Sequence, residues 1–291
     1  MDLLSMKSFA KSITDMTFTD YYFRLMSLAR CVYKWENLPN SIDEKWIERF
    51  LFWDGKCMFF EDDKLGLMVA RCNPANTLNM YDEPTELMPY GINYVGESRR
   101  LGCFDGNKPE CVLIRNNDNM IPTSFTLKLF AYRLAEISRT IDINISAQKT
   151  PVLILTSEKQ RLTMKNVYTQ WNGFEPVIFG DNNLDTNNIT VLKTDAPIVF
   201  PQLQVQKQAI WNECLTFLGI NNANTEKRER LITDEVEANN LHIELSAECM
   251  LKARQKACEQ INELYGTNIS VSVRERSEVK CMLNTQNTLE T

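Results

Sequence analysis

The sequence predicts an α+β protein of two or three parts, and three patterns support that prediction. Apolar residues recur at helical spacing in two long segments, 123–147 and 203–218. Two apolar runs, 57–60 and 66–72, are joined by a charged turn and indicate a β-hairpin. Strand-like runs between the two helical segments indicate a small inserted α/β module. Composition and periodicity alone lead no further than this fold class.

The chain has 291 residues, enough for one large or two ordinary domains with a sizeable core. It is 44% hydrophobic and 24% charged, which excludes global disorder. The nine cysteines are an odd number without a C-x-x-C pair, so we expect buried thiols in a reducing compartment and no disulfide framework. Lys7 and Lys11 interrupt the apolar amino terminus, and no run of eighteen apolar residues occurs, so neither a signal peptide nor a membrane span is expected.

The net charge of −6 argues against a tight, nonspecific nucleic-acid binder, because such binding depends on neutralising phosphates with Lys and Arg. The charge does not argue against a conduit for DNA, since the wall of a conduit must not hold a polyanion tightly. An acidic wall with a few basic positions meets that requirement.

The first predicted element is an amphipathic helix over 20–36, ended by Pro39. Its apolar stripe comprises Tyr21, Leu25, Leu28, Val32 and Trp35. Ser41 and Glu44 then fit a capping box for a short helix that carries Trp46, Ile47 and Phe50.

A small β-rich domain follows, with the hairpin and further strands near Tyr94 and over 111–115. After Pro122 the pattern changes to a near-heptad stripe from 123 to about 147, formed by Leu127, Phe130, Leu134, Ile137 and Ile141. At 1.5 Å per residue this helix is roughly 36 Å long.

The inserted module is predicted from strands at 151–155, 176–179 and 188–193 around a helical piece near 165–170. The helix over 203–218 ends at Gly219, and its stripe consists of Leu203, Ile210, Cys214 and Phe217. A further helix over 247–265 ends at Gly266, a strand over 269–273 follows, and the last fifteen residues are polar enough to be disordered.

The segment 220–245 contains neither glycine nor proline and is strongly charged around TEKRERLITDEVEANN. A structureless loop of this length inside a compact domain is usually functional or disordered. By loop statistics alone, a solvated linker or a frayed helix extension is the more common case.

Catalytic signatures are missing from the sequence. His242 is the only histidine, and no partner for a metal site or for Ser/His or Cys/His catalysis is visible beside it. Gly102, Gly106 and Lys108 approach a phosphate-binding loop, but the glycine spacing is one residue short, which favours a turn.

Two acidic pairs could bind a cation, although adjacent surface carboxylates usually face solvent; they are Asp62/Asp63 and Asp234/Glu235. We therefore expect no enzyme activity, no cofactor and no metal site.

Several sequence blocks resemble one known family closely. They lie at 34–39, 116–122, 147–154, 193–197, 206–224, 226–236 and 259–266, and they begin with KWENLP and end with EQINELYG. These blocks resemble the portal proteins, also called upper-collar or head-tail connector proteins, of phi-29-like small short-tailed phages. They keep the family's order and spacing from about residue 34 to 275, whereas the amino terminus and 61–109 match poorly.

The resemblance implies a phage portal fold with long stem helices, a β-containing wing and a small α/β clip inserted between the stem helices. Its parts map onto an N-terminal arm (1–16), a first helix with the wing (17–121), a stem helix (122–148), the clip (149–200), a second stem helix (201–219), a channel loop (220–246), a wing return (247–275) and a disordered tail (276–291). The implied protein is a non-catalytic homododecamer at one capsid vertex, through which DNA is packaged, retained and ejected.

The resemblance also implies which residues face the DNA. Lys193, Lys227 and Arg228 fall where the family carries channel lysines, and Arg230 belongs to the same basic run. The implied channel loop further contains Thr225, Glu226, Glu229, Asp234, Glu235, Asn239 and Asn240. Without the family, these cations would be interpreted as ordinary exposed charges balanced by neighbouring carboxylates.

This sequence departs from the family in two places. Gln202 stands where the family has a further ring lysine, so one ring of positive charge is expected to be missing. The family can begin with a strongly basic arm that holds a packaging RNA, whereas here only Lys7 and Lys11 precede Arg24.

The implied partners are double-stranded phage DNA, the major capsid and scaffolding proteins, the packaging ATPase with or without a packaging RNA, and the lower collar or tail protein. The implied location is the portal vertex of the virion, after assembly in the host cytoplasm and without a membrane. Two alternatives remain open at this point. One is a nucleic-acid enzyme or binding protein with a charged active-site lid, and the other is a structural oligomer that never contacts DNA.

Overall fold

A computed structural model describes residues 3–75, 78–102, 108–148, 152–154, 189–191, 197–220 and 233–274. The chain divides into two compact units, one of residues 1–136 with 207–291 and the other of residues 137–206. The helices are α1 (Leu3–Arg30), α2 (Glu44–Asp54), α3 (Thr123–Ala147), α4 (Phe200–Phe217) and α5 (Thr233–Tyr265). The strands are β1 (Tyr33–Glu36), β2 (Lys56–Asp62), β3 (Gly66–Pro74), β4 (Glu86–Gly91), β5 (Tyr94–Val95), β6 (Arg99–Arg100), β7 (Cys111–Arg115), β8 (Val152–Ile154), β9 (Ile189–Val191) and β10 (Ser270–Val273).

The predicted β-rich domain is an antiparallel sheet in the order β5-β4-β3-β2-β7, with β6 paired to β4. Met58 on the central strand β2 lies opposite Ala70 on β3 and Leu113 on β7. The sheet curls so that the backbone N–H of Glu110, just before β7, donates to the carbonyl of Arg100 on β6 at 2.9 Å. The enclosed core consists of Met58, Phe60, Ala70, Cys72, Leu87, Cys111 and Leu113.

The predicted hairpin and the strands near Tyr94 and at 111–115 are confirmed, but the first helix ends earlier than expected. α1 stops at Arg30, and the residues predicted to extend it to Glu36 form β1, which pairs antiparallel with β10. Tyr33 and Trp35 are both buried, and they alternate along β1 with more exposed neighbours. A strand partner more than 230 residues away therefore overrides the local helical pattern. Towards the amino terminus the helix continues through most of the arm expected at 1–16.

The predicted capping box of α2 is wrong. Asp43 is the N-cap, with φ −106°, and its Oδ1 accepts the backbone N–H of Lys45 at 2.9 Å. Ser41 instead donates its hydroxyl to the carbonyl of Leu67 at 2.6 Å. The carboxylate of Glu44 accepts the N–H of Trp35 and pairs with Arg274 at 2.6 Å, so it is not available to the helix terminus.

The helix predicted over 123–147 is confirmed with the same bounds, and the one predicted over 203–218 is confirmed as α4. In the larger unit, Leu127, Phe130 and Leu134 of α3 are buried, as are Ile210 and Cys214 of α4. The rings of Phe130 and Phe217 lie 6.3 Å apart, and Arg133 pairs with Glu213 at 3.4 Å across the two helices.

In the smaller unit, β8 and β9 form an antiparallel pair with Leu153 opposite Thr190. The side-chain amide of Asn144 donates to the carbonyl of Pro197 at 2.9 Å and accepts from the N–H of Val199 at 3.2 Å. Two of the three predicted clip strands are thus present in part. The strand expected at 176–179 and the helical piece near 165–170 lie outside the described residues.

The last helix ends before Gly266, as predicted, and β10 confirms the strand that follows. Its start was predicted wrongly, because α5 begins at Thr233 rather than at Ala247. The segment contains no glycine or proline, the residues that most strongly disfavour a helix interior. Glutamate, lysine and arginine are good helix formers, so high charge does not imply a loop. The tail predicted at 276–291 lies outside the described residues.

Candidate functional site

The segment 220–246, predicted to be the channel loop, begins and ends at one place. There the end of α4 crosses α5 in close contact. α4 ends in a left-handed turn in which Gly219 has φ 73° and the N–H of Ile220 donates to the carbonyl of Leu215 at 2.8 Å. A Cβ on Gly219 would overlap the Cβ of Ala247 and lie 2.9 Å from its Cα. Glycine is required here for the positive φ and for the close approach of the two helices.

From this crossing, α5 extends from Ala247 towards its amino-terminal end at Thr233. Those fourteen steps correspond to about 21 Å of helix. Asp234, Glu235, Asn239 and Asn240, with His242, lie on this helix rather than on a loop, and only their backbone is described.

The remaining predicted site residues, Lys193, Thr225, Glu226, Lys227, Arg228, Glu229 and Arg230, lie outside the described residues. The structure therefore brings none of the predicted site side chains together within its described part. Gln202 is exposed on α4.

Seven residues after Ala247 on α5, a buried polar network surrounds Arg254. The sequence analysis did not predict this network. Nε and Nη2 of Arg254 donate to the two carboxylate oxygens of Glu48, each at 2.9 Å. Nη1 donates to the carbonyls of Asn116 and Met250 at 3.1 and 3.0 Å, and Nη2 also donates to Oδ1 of Asn116 at 3.0 Å. These contacts use all five N–H donors of the guanidinium.

Aromatic side chains complete this network. The guanidinium of Arg254 lies 4.1 Å from the ring centre of Tyr33, and the indole N–H of Trp35 donates to Glu48 at 2.9 Å. The hydroxyl of Tyr33 donates to the carbonyl of Ala247 at 3.3 Å. Burial raises the pKa of Tyr33 to about 12.

The network also reaches the start of α3. The side-chain amide of Asn116 donates to the carbonyl of Ile121 at 2.8 Å and to the hydroxyl of Thr123 at 2.9 Å. The one sequence signal that could have revealed the network is an arginine inside the apolar stripe of α5, between Met250 and Ala257.

A groove of about 710 Å³ lies between α5 and the strands β4, β6 and β7. Leu113, Ala257 and Leu264 contribute apolar surface to it. Two arginines of its lining form ion pairs, Arg115 with Glu83 at 2.8 Å and Arg100 with Glu110 at 2.7 Å.

In the acidic pair Asp62/Asp63, the carboxylate of Asp62 accepts hydrogen bonds from within the chain. Asp62 accepts the hydroxyl of Tyr94 at 2.8 Å and the turn N–H groups of Lys64 and Leu65. The hydrogen bond from Tyr94 is the main cause that lowers the pKa of Asp62. Among the described residues, no group of three or more His, Cys, Asp or Glu side chains could hold a metal ion.

The burial predicted for the cysteines holds for most of those in the described ranges. Seven of them are free thiols, and five of these are buried. Within the same ranges, no helix is long and apolar enough to cross a bilayer.

One face of α3 is apolar and exposed. Phe125, Leu129 and Tyr132 follow each other at helical spacing on the side away from the buried stripe, with exposed fractions of 77%, 60% and 57%. Large apolar side chains aligned in this way usually mark an interface.

Comparisons with known proteins agree with this architecture. Residues 5–278 match the family model described as Phage Connector (GP10). The fold is similar to a chain in the solved structure of the portal and tail of native bacteriophage P68, with a TM-score of 0.53, 14% identity, and coverage of 98% of this chain and 95% of that one. A chain of the virion of a native gene transfer agent particle matches with a TM-score of 0.48, 11% identity, and coverage of 96% and 87%. An HK97 family phage portal protein from Corynebacterium diphtheriae matches with a TM-score of 0.42, 9% identity, and coverage of 89% and 93%.

Proposed function

The chain belongs to the phage connector family, and from this premise we propose that it assembles as a homododecamer whose bore carries the phage DNA. It is a portal protein at the head-tail junction of the virion, and its role is structural rather than catalytic. Family membership implies an oligomeric ring in the virion together with tail components. We propose three further properties: the subunit number, the contacts with DNA and the individual partners.

The exposed apolar face of α3 carries the proposal. Phe125, Leu129 and Tyr132 are more than half exposed in the single chain, although each offers a large apolar surface. In a ring, every subunit contacts two neighbours through different surfaces, and an obligate interface of this kind is apolar. A neighbouring subunit would cover this face.

The segment 220–246 is proposed to contact the DNA in the bore. Lys227, Arg228 and Arg230 stand within it, and Lys193 lies in the proposed clip. Each cation is repeated by the ring symmetry, so one residue becomes a circle of positive charge around the duplex. Contacts of lysine and arginine with phosphates do not depend on base sequence, which suits a conduit for a whole genome.

The acidic and polar residues beside these cations limit how tightly the DNA is held. Glu226, Glu229, Asp234 and Glu235 carry negative charge in the same segment. Thr225, Asn239 and Asn240 add neutral polar groups. A mixed surface would impede backward slippage of DNA during packaging without holding the polyanion. Gln202 adds no charge, so one ring of cations is missing.

The other partners follow from the family and remain proposals. The clip, 149–200, would contact the packaging ATPase first and the lower collar or tail protein later. The wing, 17–121 with 247–275, would contact the major capsid protein and the scaffolding protein during assembly. Contact with a packaging RNA would rest on the amino terminus, which offers only Lys7 and Lys11 before Arg24.

The test is charge reversal in the proposed channel segment. Phage carrying Lys227→Glu with Arg228→Glu should assemble rings and particles, while the fraction of heads that retain full-length DNA falls. The matched control is Lys64→Glu, which reverses the charge of an exposed lysine in the turn between β2 and β3. This control is compared with the single variant Lys227→Glu. If packaging and retention are unchanged in both channel variants, the protein is a structural oligomer that does not contact DNA through this segment.

A further inference from the structure

Helix α5 is held at two points on one of its faces. Ala247 lies against Gly219 at the end of α4, and Arg254 lies against Glu48 of α2. These two residues of α5 are seven positions apart, which is close to two helical turns and places them on the same face about 10 Å from each other. Met250, between them, is also buried.

The first contact is steric. The space that a Cβ of Gly219 would occupy is taken by Ala247, whose Cα would lie 2.9 Å away and whose backbone nitrogen would lie 3.2 Å away. The two backbones can therefore approach only because residue 219 has no side chain. The hydroxyl of Tyr33 holds the same turn of α5 from another side, through the carbonyl of Ala247.

The second contact is a directed polar one. The planar guanidinium of Arg254 donates to both oxygens of Glu48 and to two oxygens of Asn116. Because the donors of arginine form a fixed fork, this arrangement determines the orientation of the helix as well as its position. Glu48 belongs to α2, and Asn116 donates a hydrogen bond to Thr123 at the start of α3. Arg254 therefore connects α5 to both of these helices.

Two fixed points on a rigid helix determine the direction of its axis. The helical segment 233–246 continues that axis beyond Ala247. Over about 21 Å of helix, a rotation of roughly 10° at Ala247 moves the far end by about 4 Å. A displacement of this size is enough to break a hydrogen bond or a close ion pair made by the far end.

We propose that Gly219 and Arg254 are positioning residues that aim the segment 233–246 at the DNA, so that changes at either contact reduce DNA retention while the ring still assembles. The inference rests on the proposed function, because it assumes that this segment reaches the bore. It adds that the direction of the segment is set by two contacts outside the segment itself.

The test compares two glycines that differ in one respect. Gly219 and Gly266 both have a positive φ, 73° and 64°, and both follow the end of a helix, but a Cβ on Gly266 would meet no atom within 4 Å. Gly219→Ala and Gly266→Ala therefore share the backbone strain, and only Gly219→Ala disturbs the contact with Ala247.

We expect electron cryo-microscopy of purified rings to show segment 233–246 displaced by several ångström at its far end in Gly219→Ala, and unmoved in Gly266→Ala. Phage with Gly219→Ala should lose DNA from filled heads several-fold more often than phage with Gly266→Ala. Adding Ala247→Gly to Gly219→Ala removes the overlapping Cβ and should restore part of both readouts.

Arg254→Lys provides the second arm, because lysine keeps the positive charge but lacks the fork. It should displace the same segment, whereas the exposed Arg24→Lys should not. If Gly219→Ala prevents ring assembly, Arg254→Lys alone tests the inference. The measurements are again the position of segment 233–246 and the retention of DNA. An undisplaced segment with normal DNA retention in the assembled variants overturns the inference. Failure of the proposed function would look different, since Lys227→Glu with Arg228→Glu would then also retain DNA.

Discussion

The carboxylate of Glu48 and the guanidinium of Arg254 form a two-point ion pair inside the chain, with 3% and 2% of the side chains exposed. Both charges are removed from water, and each is compensated by the other and by neighbouring hydrogen bonds. A buried pair of this kind contributes little net stability compared with apolar packing. Removing one partner is costly, because the other charge is then left without compensation.

Glu48→Gln should therefore lower the free energy of unfolding by about 3–5 kcal/mol, the usual cost of breaking a buried ion pair. Glutamine can still accept the indole N–H of Trp35, so the loss reports mainly on Arg254. Urea titrations at one fixed protein concentration measure the difference.

Asp20→Asn is the control for that substitution. It removes the ion pair of Arg24 with Asp20, whose side chains are 62% and 51% exposed. Exposed pairs contribute about 0–1 kcal/mol, so this variant should remain near the wild type. An equal, small cost for both variants would show that Arg254 does not depend on Glu48 for compensation.

Leu129→Glu should prevent ring assembly, because it places a charge in the proposed interface on α3. Leu65→Glu is closely matched, since Leu65 is 57% exposed in the turn after β2 and Leu129 is 60% exposed. Light scattering should give a low mass for the first variant and the mass of the ring for the second, with unchanged circular dichroism. A ring of normal mass with Leu129→Glu would exclude this face of α3 from the interface.

The chain should lose stability at alkaline pH, because burial raises the pKa of the Cys72 thiol from 9.0 to about 12. Above pH 9 the unfolded chain releases this proton while the folded chain retains it. The contribution of Cys72 is therefore complete below pH 9 and is lost as the pH rises towards 12.

Urea titrations at pH 8 and pH 10.5 in the presence of a reductant test this dependence. Cys72→Ala should diminish the loss of stability between the two pH values by about 1–2 kcal/mol. Cys249 is exposed, so Cys249→Ala should leave the loss unchanged. An identical pH dependence in all three proteins would contradict the effect of burial on Cys72.

Periodic patterns predicted the elements whose stability is local or nearly local. The hairpin of β2 and β3, the bounds of α3 and the glycine that ends α4 were all predicted from the sequence. Predictions failed where a distant segment decides the structure. Residues 33–36 form a strand because β10 pairs with them, and Glu44 does not cap α2 because Arg274 and β1 engage its carboxylate.

The candidate site was predicted less completely than the fold. Charge patterns and the family resemblance selected the segment 220–246 as a channel loop, and only the alternative of a helix extension allowed for the helix found over 233–246. The contacts that hold this helix join Gly219 to Ala247 and Glu48 to Arg254. A sequence pattern with a short period contains no information about partners so far apart.

The central claim, that the chain is a subunit of a dodecameric ring, is tested most directly by the mass and appearance of the purified protein. Light scattering should give twelve times 33.7 kDa, or about 404 kDa, and end-on electron micrographs should show rings with a central hole. A compact monomer of 33.7 kDa that persists at high concentration would contradict the claim.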